Sequence, residues 1–83
     1  MLEIGKTAVT ILLKRKRACL VIIAADASDK FKRRIGIDCL RQNVPVYIFS
    51  TKSDLGKLCG RESVGTIAIS DKNLAEGITK AFA

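Results

Sequence analysis

The chain has 83 residues, of which 48% are hydrophobic, and its fifteen Lys and Arg against eight Asp and Glu leave a net charge of +7. This length allows a single domain, 1–83, and one so small buries only about 60–65% of the surface its unfolded chain exposes, so every apolar run is needed for the core. The composition excludes a disordered chain, the lack of histidine removes the usual zinc ligand and proton carrier, and the surplus of cations points to a polyanion such as nucleic acid, with solubility as the competing reading.

The chain reads as alternating strands and helices. "LEI" at 2 to 4 fits a short edge strand broken by Gly5. Ile4, Ala8, Ile11 and Leu12 recur at helical spacing and predict a helix over about 8–16 with Thr7 as its cap. "ACLVIIA" at 18 to 24 is a continuous apolar run with β-branched residues at its centre, the pattern of a central strand covered on both faces. Ser28 then caps a helix that turns Phe31, Ile35 and Cys39 inward and Lys30, Lys32, Arg33, Arg34 and Arg41 elsewhere.

"VPVYIF" at 44 to 49 is the next strand, and Pro45, which cannot donate to a ladder, places it at an edge or at its first residues. "TKSDLGKLCG" reads as a two-turn helix with Ser53 as cap, Leu55, Leu58 and Cys59 inward, and Gly60 as its left-handed stop. "GTIAIS" at 65 to 70 is a last strand, followed by a helix with Leu74, Ile78 and Phe82 at four-residue intervals. The alternation predicts a three-layer α/β/α sandwich around a mixed, mostly parallel sheet of three to four strands.

No run reaches the ~18 apolar residues of a bilayer span and no secretory signal is visible, so a cytoplasmic protein without a membrane partner is expected. Cys19, Cys39 and Cys59 are odd in number, widely spaced and set among apolar residues, which predicts small core residues rather than disulfides or a metal knuckle. "GKT" at 5 to 7 looks like the end of a P-loop, but no second glycine stands five residues earlier. Gly5 followed by the amides of a helix N-terminus remains a competent phosphate contact.

Lys14, Arg15, Lys16 and Arg17 end the first predicted helix, where the helix dipole favours one or two cations but does not explain four. Asp26 follows the central strand, and without a histidine, a reactive serine or an acid pair it reads as a turn or capping residue. No catalytic constellation is present, so the expected protein is not an enzyme and uses no cofactor. Phe31, Tyr47, Phe49 and Phe82 all sit in apolar patterns, which argues against a surface stacking platform and for structured RNA over single strands.

"ACLVIIAADAS" at 18 to 28, "NVPVYIF" at 43 to 49 and above all "KSDLGKLCGRESVGTIAI" at 52 to 69 resemble the kink-turn-binding ribosomal protein superfamily of the L7Ae and L30e type, most of all its small bacterial YlxQ-like branch. The resemblance implies an α/β/α sandwich that grips a sharply bent internal loop of RNA with two neighbouring loops. One is Gly5, Lys6, Thr7 and Ala8; the other is Gly60, Arg61, Glu62, Ser63 and Val64. Small side chains and exposed amides at both suit close approach to bases and phosphates.

The family's RNA-binding members commonly carry Gly-x-Asn-Glu and a lysine one turn later, and this chain has Thr7, Ala8 and Ile11 at those places. Arg15 falls where the family has a basic residue and Lys16 where it often has a helix-ending glycine. Added charge at Arg15 and Lys16 is therefore expected to replace lost base contacts by phosphate contacts and to make binding more salt-dependent. Lys6, Arg15, Lys16, Lys57 and Arg61 on one face with the two loops would favour RNA, an apolar rim a protein partner. The function expected is non-enzymatic recognition of structured, kink-turn-like RNA, ribosomal or ribosome-associated, by a monomer. The alternatives are a protein-interaction module that has lost RNA recognition and the detached substrate-binding domain of an RNA-modifying enzyme.

Overall fold

The computed structural model describes residues 2–82 and contains, in chain order, β1 (Leu2–Ile4), α1 (Lys6–Lys14), β2 (Leu20–Ile23), α2 (Asp29–Arg41), β3 (Val46–Ile48), α3 (Lys52–Leu58), β4 (Thr66–Ile69) and α4 (Lys72–Phe82). Side chains alternate across the sheet as the two-residue period of a strand requires. Val21, Ile23 and Ala68 enter a core with Val9, Leu13, Ile35 and Cys39 of α1 and α2. Leu20, Ile22, Ile67 and Ile69 enter a second core with Leu55 of α3 and Ala75 of α4. The expected sandwich is present, with α1 and α2 on one face and α3 and α4 on the other.

The strand order is β1-β4-β2-β3. β1, β2 and β3 share one direction while β4 runs against them between β1 and β2, so β2–β3 is parallel and the β1–β4 and β2–β4 ladders are antiparallel. The sheet is thus mixed as expected, but "mostly parallel" holds for strand directions and not for ladders. The reason lies in the last connection. α3 has only 7 residues, about 10 Å at 1.5 Å per residue, and the chain turns straight back beside it to the level where it began, where the Val64 amide donates to the Lys52 carbonyl at 3.0 Å. β4 therefore starts at the end of the sheet where β3 finishes.

Three helices stop in the same way. Lys16 and Arg17 donate to the carbonyls of Leu13 and Leu12, Asn43 and Val44 to those of Leu40 and Cys39, and Gly60 and Arg61 to those of Lys57 and Gly56. Each is a Schellman turn with a left-handed residue after the cap, at φ 56° for Lys16, 56° for Asn43 and 69° for Gly60. Glycine adopts that conformation freely and asparagine readily, whereas a lysine is strained there by about 1 kcal/mol or more.

Several local expectations are corrected. α1 starts at Lys6 with Gly5 at the cap position, so Thr7 lies inside the first turn and caps nothing. Thr51, not Ser53, caps α3 by accepting from the Asp54 amide at 3.1 Å. Leu58 is 74% exposed because α3 ends one residue later and turns away, and in α4 it is Ala75 that is buried while Leu74 is exposed. The side chain of Phe82 lies outside the described residues. Ser28 caps α2 through the Phe31 amide as expected, Pro45 precedes the edge strand β3, Cys39 is buried and Cys19 and Cys59 are half-buried.

Candidate nucleic-acid interface

Because β1, β2 and β3 point the same way and each is followed by a helix, the N-termini of α1, α2 and α3 converge on one edge of the sheet. β4 begins there too, and the loop that feeds it, which starts beyond the other end of α3, arrives there at Val64. Gly5 is held against that loop by its amide, which donates to the Thr66 carbonyl at 3.0 Å. Thr66 is fully buried and its hydroxyl donates to the Ile22 carbonyl at 2.9 Å, tying β4 to β2 beneath the site. Of the two segments expected to act together, Gly5–Ala8, which is the cap and first turn of α1, lies beside the Val64 end of Gly60–Val64, while Gly60 stands beyond the other end of α3.

Their backbones are shaped by two glycines. Gly5 has φ 99° and ψ 163°, a region that side chains with a Cβ avoid. Gly56 lets the returning loop lie against α3, since a Cβ there would stand 2.8 Å from the Arg61 carbonyl oxygen. Gly60, Arg61, Glu62 and Ser63 are exposed along this loop, while Val64 is 3% exposed, belongs to the α3–α4 core and gives its amide to the Lys52 carbonyl, so it does not present itself at the surface as expected.

The three converging helices differ in one respect. α2 is capped by Ser28 and α3 by Thr51, and the Asp26 carboxylate also accepts from the Lys52 amide at 2.8 Å. α1 has no side-chain cap, which leaves its first-turn amides for an external acceptor. Asp26 thus has the capping role expected from its position.

Cations and acids are balanced along the edge. Asp29 is 3.5 Å from the Lys32 ammonium, which also donates to the Ala25 carbonyl at 2.8 Å. Asp54 accepts from the Ser50 hydroxyl. The Lys6 ammonium sits 5.1 Å above the centre of the Phe31 ring, a cation–π contact that holds it over α2. From there a groove of about 320 Å³ runs between α1 and α2, lined by Lys6, Thr7, Thr10, Ile11, Lys14, Phe31 and Arg34. Lys14 and Arg34 are thus cations of this face that reasoning from loop glycines did not assign to the site; only the pairing of α1 with α2 brings them together.

Arg15 and Lys16 are not on this edge. They follow α1, whose 9 residues separate its two ends by about 13 Å, and Lys16 lines a depression with Arg41 and Gln42 at the far end of α2. Lys57 is exposed on the last turn of α3, beside the start of the second loop.

Residues 1–78 match the model of the "Ribosomal protein L7Ae/L30e/S12e/Gadd45 family". The chain belongs to the L7Ae/L30e/S12e/Gadd45 family. Membership makes it a ribosomal-type protein of an RNA-binding family. No curated protein sequence matches it. Among solved structures, it is similar to a protein of unknown function from Bacillus halodurans C, with a TM-score of 0.91 at 22% identity over 95% of this chain and 80% of that one, a likeness of fold. Among the described residues no helix of this L7Ae-family chain is long and apolar enough to cross a membrane.

Proposed function

We propose that this protein binds structured RNA, without catalysis, by seating a sharply bent, kink-turn-like backbone on the edge where Gly5–Ala8 meets Gly60–Ser63. The observation that carries the reading is the uncapped N-terminus of α1, fixed by the Gly5–Thr66 bond beside a loop of exposed backbone. Amides there can donate to phosphates or base edges without the Asn-Glu pair common in the family. Thr7 supplies one hydroxyl, Ala8 leaves room, and the cation missing at Ile11 is offered one turn further along α1 by Lys14 and across the groove by Arg34. The RNA is ribosomal or ribosome-associated, and the protein acts as a cytoplasmic monomer.

The test is a fluorescence-anisotropy titration at physiological salt with a kink-turn RNA and with the same RNA whose tandem G·A pairs are replaced by Watson–Crick pairs. A preference of at least about tenfold, equivalent to about 1.4 kcal/mol, is expected for the kink-turn. Equal affinity for both removes kink-turn recognition. One feature favours a second reading as a protein-interaction module: an apolar groove of about 430 Å³ between α3 and α4 that includes Leu2, Phe49, the exposed Leu58 and Ile78.

A further inference from the structure

The positive charge that the RNA-binding edge lacks is gathered at the opposite pole. There the end of α1, the end of α2 and the first residue of β2 come together, the Gln42 side-chain amide donating to the Leu13 carbonyl at 2.8 Å and so joining the two helix ends. Two adjoining depressions share Lys16 and Ala18. One, of about 440 Å³, is completed by Arg41, Gln42 and Val44. The other, of about 390 Å³, is completed by Arg17, Cys19, Ser70 and Leu12. No carboxylate lines either. Of the nearby acids, Asp38 stands one turn before Arg41 on α2 without forming an ion pair with it, Asp71 is engaged in accepting from the Asn73 and Leu74 amides at the start of α4, and Glu76 lines a neighbouring hollow together with Lys72 and Lys80.

Two features of this pole oppose folding. Lys14, Arg15, Lys16 and Arg17 are consecutive and exposed, and the one ion pair among the described residues, Lys32–Asp29, is elsewhere. The dipole of α1 offsets their repulsion only within its last turn. In addition, Lys16 occupies the left-handed position of a Schellman turn that α3 gives to Gly60 and α2 to Asn43. A strained backbone carrying a charge is a pointer to function rather than to stability. Lys14 belongs to the groove that runs toward the loop edge, but the length of α1, about 13 Å, exceeds the Debye length of about 8 Å at physiological salt, so Lys16 and Arg17 act on what touches their own pole and not on phosphates at the far edge.

We propose that the pole formed by Lys16, Arg17 and Arg41 is a second phosphate-binding surface, which takes the backbone of a further RNA segment while the loop edge holds the first. The partner is an RNA backbone and not a base-specific site, because the pole offers point charges and a guanidinium fork over an alanine floor without an exposed aromatic in either depression. The inference uses the family's affinity for RNA but not kink-turn recognition. One molecule thereby bridges two duplex segments, a geometry suited to holding RNA helices in a fixed relation.

The deciding experiment uses the full chain, a 16-base-pair RNA duplex without a kink-turn, and two variants that each lose two charges. Lys16→Gly/Arg41→Gln removes cations of the pole, and its glycine relieves the left-handed strain, so the single variant Lys16→Gly is expected to melt at an equal or higher temperature than the parent. Lys30→Gln/Arg33→Gln is the charge-matched control on the exposed side of α2. The pole variant is expected to bind the duplex at least tenfold more weakly and to lower the slope of log affinity against log salt by about one to two, with the control within twofold of the parent.

A sandwich assay completes the test: an immobilised kink-turn RNA captures a labelled duplex through the parent but not through the pole variant, which still binds the kink-turn RNA. Equal losses in the pole variant and the control overturn the proposal in favour of generic charge. Vesicles of phosphatidylserine and phosphatidylcholine that bind the parent and release the pole variant, with duplex affinity unchanged, overturn it in favour of a membrane. Loss of kink-turn preference by the parent overturns the function proposed for the loop edge and leaves this result standing.

Discussion

Gly56 sets the course of the 60–65 loop. A Cβ at this position would approach the Arg61 oxygen to 2.8 Å and the carbonyl carbon and oxygen of Glu62 to 2.9 Å, all of them backbone atoms that no rotamer change can move. Gly56→Ala is expected to destabilise the protein by about 1–3 kcal/mol in urea unfolding and to weaken RNA binding with it. Gly77→Ala in α4, where a Cβ meets nothing within 4 Å, is expected to stabilise by about 0.5–1 kcal/mol. Similar outcomes for the two would show that the loop does not depend on the close approach. Arg61→Ala is expected to cost about 1–3 kcal/mol in RNA affinity if its guanidinium reaches a base edge, and an unchanged titration removes it from the site. At Cys39, burial first and the Asp38 carboxylate second push the thiol up to about 11 from an ordinary value of 9.0. The folded protein keeps this proton while the unfolded one releases it, so the thiol's contribution is complete below about pH 9 and is lost as pH rises toward about 11. Relative to Cys39→Ala, the parent is therefore expected to lose on the order of 1 kcal/mol between about pH 8 and about pH 10. A constant difference in unfolding free energy over that range would mean that folding does not alter the thiol.

At the scale of elements, α3 is the one most dependent on its surroundings, because 7 residues fall short of the ~12–15 an isolated helix needs. Thr51 supports its first turn from within and Asp26 from the β2–α2 loop. Thr51→Ala and Asp26→Ala are each expected to cost about 1 kcal/mol by thermal or chemical denaturation. Asp26→Ala also frees the start of α3 from α2's loop, so it should widen the exchange of the Lys52 amide with solvent, which Thr51→Ala should leave slower. The order of elements was legible because apolar runs such as Leu20–Ile23 and four-residue spacings such as Ile35 and Cys39 carry their own period. Caps were not, since Gly5 and Thr7, or Thr51 and Ser53, offer two candidates within three residues and the path out of the preceding strand decides between them. Leu58 fits the inward face of α3 by spacing, yet the turn at Gly60 carries the chain away before anything covers it. In the candidate site, glycines mark both segments in the sequence, whereas Thr66 as their link and Arg34 as a groove cation follow only from strand order and helix pairing.

For the whole molecule, the placement of charge matters more than its total. Within an envelope of 28 × 27 × 22 Å the chain carries a net +7, and among the described residues none of the consecutive cations at the end of α1 is in an ion pair. Folding concentrates this charge, so self-repulsion opposes the compact state, and added salt relieves it by shortening the Debye length from about 8 Å at physiological strength to about 3 Å at 1 M. Melting temperature is therefore expected to rise as NaCl goes from about 0.05 M to about 0.5 M, while RNA affinity falls over the same range because released counterions lose their advantage. The rise should be smaller for Lys16→Gly/Arg41→Gln, which starts with less repulsion, than for Lys30→Gln/Arg33→Gln, if repulsion is concentrated at the α1 pole. Differential scanning fluorimetry across the salt series reads all three proteins at once. A melting temperature that falls with salt would mean that the cations are held in favourable pairs, and the positive pole would then be a structural feature of the fold with no charge left over for phosphate.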